Sequence, residues 1–523
     1  MKIKNITLLL VTLIASACNS DTSNKPISSR NTAVSYNEAY QAPFFNSSGR
    51  KASVLSMMPT LEALYANHAR IQQYPSHFFG VVLDGELIAT GGKGMINLEE
   101  GFTVDANTKF HIASMTKSLT AMAIVKLRDE GRLSLEDAAV DYIPELKELE
   151  YLTRDASPIT IFNLMTMSSG FPEDNPWADR RLEDSEEAFS ELMSSGLSFS
   201  NVPGYTYEYS NLGFAMLGRI ITKVSGMSYQ AYINREILEP LGMRDTYWEY
   251  EDVPREQLAV GYRWQGDRWE KEPMLHTGAF GAIGGLITSM NDFSKYVIYL
   301  MNAWPPRNED ESGPLKRSSL REMQTPFFAR LSTEGIDQSG NTCATLTGYG
   351  YGLSVKTDCR GNTSVSHSGG LPGFGSQYTF FPDYGIGIIS FANRTYAGTT
   401  RINQDAMEIL MTEADLAPRQ LPISGILHQR SNQVFRFLRT WDDQLGDLLF
   451  ADNFYLDFPR QIRKIAFDEL DLGEIQSMDS MVPLNHLRGT FKIRGTRGEA
   501  EVFFSLSPEE DPKVQALRFR KLR

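Results

Sequence analysis

The chain is 523 residues long, 41% apolar, 22% charged and 11% aromatic, the proportions of a globular protein and too apolar for a disordered one. Its 51 Lys and Arg against 64 Asp and Glu leave a formal charge of −13, which argues against phosphate-backbone binding as the main task and against a nucleic-acid partner. By length alone about three domains are expected, though one large enzyme domain can absorb much of the chain.

Lys2 and Lys4 precede an apolar stretch from Ile6 to Ala17, too short to span a bilayer and of the length of a signal-peptide core. It ends in Ala15-Ser16-Ala17-Cys18, which resembles the lipobox of bacterial lipoproteins, with Ala15 where Leu is more usual. The resemblance implies a signal peptide over 1–17, lipidation of Cys18 and membrane attachment without a spanning helix. Asn19 after the cysteine then favours the outer membrane, with the protein facing the periplasm. An ordinary cleaved signal is the alternative, but one of only three cysteines stands at the signal's end. The other two, Cys343 and Cys359, form either a disulfide suited to an oxidising compartment or two buried thiols.

Residues 18–52 are rich in Ser, Asn and Thr beyond the cysteine and read as a flexible linker. A helix is expected over Leu55 to Gln72. A hairpin follows, with His77–Leu83 and Glu86–Thr90 joined at Asp84-Gly85, a dipeptide that supplies the positive φ angles of a two-residue turn. Leu119, Met122, Ala123, Val125 and Leu127 suit a buried helix from Ser114 that stops at Gly131. Another helix follows Asn211, with Phe214, Leu217, Ile220 and Ile221 on one side. Ser376–Phe381 and Gly385–Asn393 read as strands around a Pro382-Asp383-Tyr384-Gly385 turn. Strands at both ends with helices between predict an α+β fold, an antiparallel sheet of chain-distant segments with an inserted helical region, over 53–415. Beyond it, the stripe Val434, Leu438, Trp441, Leu445, Leu448 and Leu449, a helix over Ile462–Leu472, and strand-like runs at Ala500–Leu506 and Val514–Leu522 predict a small α+β domain over 420–523.

The chemistry centres on Ser114-Met115-Thr116-Lys117. A Ser and a Lys three apart at a helix start share a face, so the amine can take the hydroxyl's proton near the positive end of the helix dipole. Ser48-Gly49-Arg50-Lys51 matches equally well, and only context separates the two: Ser114 opens an apolar helix after a strand-like approach. Tyr209 and Asn211, two apart on an extended loop after Pro203-Gly204, point the same way. Downstream, His367-Ser368-Gly369-Gly370 could form an edge that offers backbone groups to a substrate. Taken singly, the second is an aromatic loop packing on the core and the third a Gly-rich turn.

In order and together, these motifs resemble the serine β-lactamase and penicillin-binding protein superfamily, and within it the class C-like branch of β-lactamase-related hydrolases, DD-carboxypeptidases, D-aminopeptidases and family VIII-type esterases. The resemblance covers roughly residues 60–410 and includes Leu127–Leu135, Ile159–Gly170 (with Met167 where His is usual) and Gly284-Gly285-Leu286. It implies that Ser114 is the acylated nucleophile, that Lys117 and Tyr209 share the acid–base work, and that Asn211 bonds Lys117 and the substrate amide. It further implies an oxyanion hole from the backbone N–H groups of Ser114 and Gly370, with His367, Ser368 and Gly369 binding substrate. His367 stands where β-lactamases mostly carry Lys, and a neutral imidazole is a weak partner for a substrate carboxylate. His276-Thr277-Gly278 competes for the same role but lacks the strands that follow Gly370.

The seven histidines show no metal-ligand spacing, and no Gly-x-Ser-x-Gly elbow or phosphate-binding glycine loop is present, so no metal or other cofactor is expected. His111 reads as packing rather than as a base. The function expected is a serine hydrolase acting on amides or esters of D-amino-acid peptides, peptidoglycan fragments or small esters. A class C-like β-lactamase and a non-catalytic cell-wall peptide- or penicillin-binding protein are the alternatives. Its partners are then a small-molecule or peptide substrate and the membrane that holds its lipid anchor.

Overall fold

The computed structural model describes residues 35–175, 177–336 and 340–522. The expected signal segment, Cys18 and Asn19 lie outside the described residues. Residues 36–523 form one compact unit.

Two continuous apolar runs make the centre of the main sheet. Strand β1 (Ser76–Leu83) is buried along its whole length, and it turns through Asp84 (φ 50°) and Gly85 (φ 87°) into β2 (Glu86–Asn97), followed by β3 (Phe102–Thr103). More than 200 residues later come β4 (Phe327–Ile336), β5 (Thr342–Tyr349), β6 (Ser354–Thr357), β7 (Thr363–Leu371), β8 (Phe374–Phe381) and β9 (Ile386–Ala392). All pair antiparallel in the order β3-β2-β1-β9-β8-β7-β6-β5-β4, with His77 opposite Ala392 where the chain-distant halves meet. This is the α+β arrangement expected, a large antiparallel sheet flanked by helices.

Side-chain alternation divides the layers. Phe79, Val81 and Leu83 pack with helices α1 (Arg50–Ser56) and α2 (Met58–Ile71) through Val54, Leu61 and Tyr65. Phe78 and Val82 face the inserted region, which holds α3 (Thr116–Asp129), α4 (Asn211–Ser225) and α5 (Met290–Met301). Helix α6 (Thr400–Thr412) lies with α1 and α2, burying Ile402, Met407 and Leu410. Fully apolar strands are what two covered faces require.

The folded unit begins inside the stretch read as linker. Phe44 pairs with Gln420, and the first helix starts at Arg50, not Leu55. The Arg50 guanidinium is buried on the Asp84 carboxylate, at 3.0 and 3.2 Å, and against the Phe45 ring at 3.6 Å. A helix held by a buried arginine carries no apolar periodicity to announce it.

The C-terminal residues have a sheet and a core of their own. Helix α7 (Gly425–Thr440) lays Leu427, Val434, Phe437 and Leu438 on a sheet of β10 (Ile475–Met478), β11 (Val482–Asn485), β12 (Arg488–Gly495), β13 (Glu499–Leu506) and β14 (Val514–Lys521). The chain order helix-then-strands follows the reading from sequence, with three further strands between 475 and 495. No described helix is long and apolar enough to cross a membrane.

Candidate active site

The short strand Phe110–His111 pairs with Ile287–Thr288 and delivers the chain to a turn, Ala113–Met115, that opens α3. Ala113 sits at φ 49°, a left-handed conformation that an L side chain adopts only when its surroundings impose it. Gly284 gives it room, since a Cβ there would lie 3.3 Å from the Ala113 carbonyl carbon. One turn into the helix, the Lys117 ammonium donates to Ser114 Oγ at 2.9 Å and to the Ile283 carbonyl at 2.8 Å.

Lys117 is completely buried, and burial pulls its amine down to about 7 against the opposing pull of the Asp179 and Asp174 carboxylates. The Tyr209 hydroxyl hydrogen-bonds to Ser114, and burial raises it well above the usual phenol range. The ammonium stands 5.2 Å from the Tyr209 ring centroid. Ser114, Lys117 and Tyr209, spread over nearly a hundred positions, thus meet at one hydroxyl.

Asn211 opens α4 nearby but does not bond Lys117 as expected. Its amide donates to the side chains of Asp174 and Asn175, while its buried Oδ1 has no hydrogen-bond partner. Asp174 accounts for the difference: its carboxylate caps the helix, accepting from the backbone N–H of Asn211 at 2.7 Å and of Leu212 at 2.8 Å, and so turns the Asn211 amide toward itself.

Strand β7 presses against the nucleophile turn. A Cβ on Gly369 would lie 2.3 Å from the Ile112 carbonyl, so only glycine allows the approach. Gly370 pairs with Gly375 across the sheet, and a Cβ on it would meet the Tyr396 ring at 2.9 Å. The residues assigned to substrate on β7 stand in different surroundings. Ser368 is exposed opposite Gln377 and lines the same cleft as His367. His367 is buried with both ring nitrogens engaged: Nδ1 donates to the Ser368 carbonyl at 2.6 Å, so Nε2 accepts from the Tyr349 hydroxyl at 2.9 Å. Burial, and then the Lys117 charge, hold its basicity down to about 3. It is a neutral wall, without a charge to offer a carboxylate. A cleft of about 920 Å³ adjoins this wall, lined by Tyr207, Tyr209, Arg330, Tyr349 and His367 among others.

The competing His276 sits at the surface against Glu249 and Glu251, at 2.9 and 3.5 Å. These three side chains bring ligand atoms within 4.8 Å of one another, a cluster the sequence spacing concealed. His111 is buried and packs on Phe374 at 5.1 Å. Cys343 and Cys359 are joined as a disulfide, with Cα atoms 5.6 Å apart, across the β5–β6 hairpin.

One group escaped the sequence reading. Asp179, 3% exposed, accepts a hydrogen bond from Tyr396 and faces Lys117; burial raises its carboxyl to about 6. Trp177 stands beside it, edge-on to Phe280 at 6.1 Å.

A sheet of this topology with a Ser–Lys–Tyr cluster at the mouth of its inserted helices defines the β-lactamase/transpeptidase-like fold. The family model described as Beta-lactamase matches residues 61–410, and the chain belongs to that family, whose members are generally hydrolytic serine enzymes. It is 27% identical to Protein flp of Staphylococcus aureus (strain MW2) over 395 residues, 71% of this chain and 72% of that protein. It is equally 27% identical to Beta-lactamase-like protein 2 of Dictyostelium discoideum over 404 residues, 72% and 70% of the two chains. Among solved structures, the octameric penicillin-binding protein homologue from Pyrococcus abyssi superposes with TM-score 0.58 and 24% identity, covering 89% of this chain and 94% of that one. A point mutant of a class C β-lactamase gives TM-score 0.54 and 19% identity over 68% and 97%. At these identities the structural likeness concerns the fold.

Proposed function

We propose that the protein hydrolyses amide or ester bonds through a covalent acyl-Ser114 intermediate. Its substrates on this reading are D-amino-acid peptides, peptidoglycan fragments or small esters. The observation that carries it is the 2.9 Å hydrogen bond between Ser114 Oγ and a lysine amine that burial brings close to neutrality. An amine near 7 is about half unprotonated at neutral pH and can act as a base. Lys117 takes the Ser114 proton as Oγ bonds to the substrate carbonyl carbon. The backbone N–H groups of Ser114 and Gly370 receive the oxyanion. On collapse the carbonyl–X bond breaks, and the proton passes to the leaving amine or alkoxide through Lys117 and Tyr209. Water then attacks the ester, giving up a proton by the same route, and Ser114 is regenerated with the acid released. The neutral His367 favours substrates that do not depend on a cation at that strand, and so weighs against a dedicated β-lactamase. The lipid anchor at Cys18, holding the enzyme to the periplasmic face of the outer membrane, belongs to the same proposal.

A fluorophosphonate probe and benzylpenicillin should each add covalently to the wild type and not to Ser114→Ala, read by intact mass. No Ser114-dependent adduct with either probe would sink the hydrolase reading and favour a binding protein. Nitrocefin turnover far above that of p-nitrophenyl esters and D-Ala-D-Ala peptides would restore the β-lactamase alternative.

A further inference from the structure

Large apolar side chains left in solvent collect where the chain enters the folded unit. Tyr36, Phe44, Leu421, Ile423, Val482 and Leu484 are each between 37 and 63% exposed. They come from three distant stretches of sequence, and contacts between those stretches bring them together. The backbones of Phe44 and Gln420 exchange hydrogen bonds at 3.1 and 2.8 Å, next to Leu421. The Tyr40 ring lies 6.2 Å from the His486 ring. Ser424, which follows Ile423, donates its hydroxyl to the His486 carbonyl at 2.7 Å. His486 comes directly after β11, an edge strand that pairs only with β12 and carries Val482 and Leu484.

The entry is clamped to the body of the protein. The Phe45 ring has the Arg50 and Arg419 guanidinium groups at 3.6 and 4.4 Å from its centroid, and Asn308 donates to the Asn37 carbonyl at 3.0 Å. A pull on the chain before Tyr36 is therefore borne by this corner of the molecule.

Exposed apolar residues scattered singly need no explanation, but a group of them marks a surface that is covered in use. What covers this one follows from the chain that leaves it. From Tyr36 the sequence runs back to Cys18, a stretch that spans at most about 60 Å when fully extended. A bilayer holding lipid on Cys18 is thereby kept within reach of all six side chains. Tethering over such a length gives an effective concentration on the order of millimolar, so that a small apolar contact persists. Tyrosine at its margin suits the headgroup level, where an apolar ring and a polar tip are both satisfied.

We propose that this corner is a docking face for a phospholipid surface, with the six side chains seated at the headgroup boundary and the C-terminal sheet as the membrane-side platform. The proposal rests on the lipid-anchor reading of Cys18 and adds a fixed orientation to it, since a tether alone leaves the molecule free to turn.

Amide hydrogen exchange tests it, comparing the lipidated protein on vesicles of phosphatidylethanolamine and phosphatidylglycerol with the non-lipidated Cys18→Ser protein in buffer. Exchange over residues 36–46, 420–424 and 482–487 should slow at least about threefold on vesicles. It should stay equal over residues 454–468, where Leu456 and Ile462 are also exposed, at 81 and 52%. Val482→Ser combined with Leu484→Ser should abolish the slowing at 36–46 and 420–424 while the protein still floats with vesicles through its lipid. Both positions are at the surface, so the pair leaves the core intact. Flotation without slowing, or slowing confined to 454–468, overturns the docking face and leaves the anchor standing. The same residues slowed by raising the concentration of Cys18→Ser without lipid, together with a dimer in sedimentation, assign the face to a second copy and overturn it equally. A wild-type protein that floats no better than Cys18→Ser overturns the anchor reading beneath it.

Discussion

The Lys117 ammonium is bonded on one side to Ser114 Oγ and on the other to the Ile283 carbonyl, 166 residues along the chain. The carbonyl can only accept, so it fixes one N–H and aims the rest of the amine at the nucleophile. Lys117→Met keeps the volume and removes the base. Acylation of Ser114 by a fluorophosphonate should fall about 10²–10⁴-fold. Removing the amine leaves the buried Asp179 carboxyl without its opposing charge, so stability should fall as well, and labelling is scored per folded protein. Unchanged labelling rates in a folded Lys117→Met would remove Lys117 from the mechanism.

The acid limb of acylation should report the same amine. Burial brings Lys117 to about 7, and the Asp179 and Asp174 charges oppose that shift. Rates should therefore rise through a midpoint near neutrality. Asp174→Asn removes a carboxylate that favours the ammonium, so the midpoint should move to lower pH. An upward movement, or none, would show that Asp174 does not act on Lys117. Asp174→Ala additionally takes away the acceptor of the Asn211 and Leu212 N–H groups, leaving Ser210 as the cap of α4, and should lower stability by about 1 kcal/mol relative to Asn, read from denaturant midpoints.

Stability should fall on mild acidification. His77 and His111 are buried and held neutral, both down to about 4, and His367 down to about 3, with burial the largest cause in each case. Unfolded, each binds a proton near 6.5, so below that pH the unfolded chain holds more protons than the native one. The stabilisation is complete above about 6.5 and drains away as pH falls toward 4. Urea midpoints should drop between pH 7 and 4.5, and His111→Phe should flatten that slope. A slope in the variant equal to that of the wild type would mean that His111 does not titrate across the transition.

Sequence pattern carried the architecture wherever one rule dominates. Continuous apolar runs marked β1, β8 and β9, Asp84-Gly85 marked its hairpin, and Ser114 and Lys117 at helix spacing marked the nucleophile turn. What stayed hidden depends on long-range pairing. Arg50 starts a helix only because Asp84 and Phe45 bury it. The Asn211 amide turns from Lys117 because Asp174 arrives from 37 residues away. Asp179 goes unmarked until Tyr396 and Lys117 are placed around it.

Gly369 is the tightest contact between the substrate-side strand and the nucleophile turn. A methyl there would sit 2.3 Å from the Ile112 carbonyl, 2.6 Å from Ser376 Oγ and 2.9 Å from the Ala113 side chain. Ser376 Oγ already donates to that same carbonyl at 2.7 Å, so the space is closed by backbone and by a bonded hydroxyl. Gly369→Ala must push β7 away from Ser114, at a cost of about 1–3 kcal/mol. The Gly370 amide moves with the strand, so turnover should fall by more than the loss of folded protein explains. Gly398→Ala, where nothing lies within 4 Å of the new methyl, serves as the matched control and should leave both stability and rate as they are. A Gly369→Ala enzyme with wild-type melting and turnover would mean that the strand does not lie against the turn.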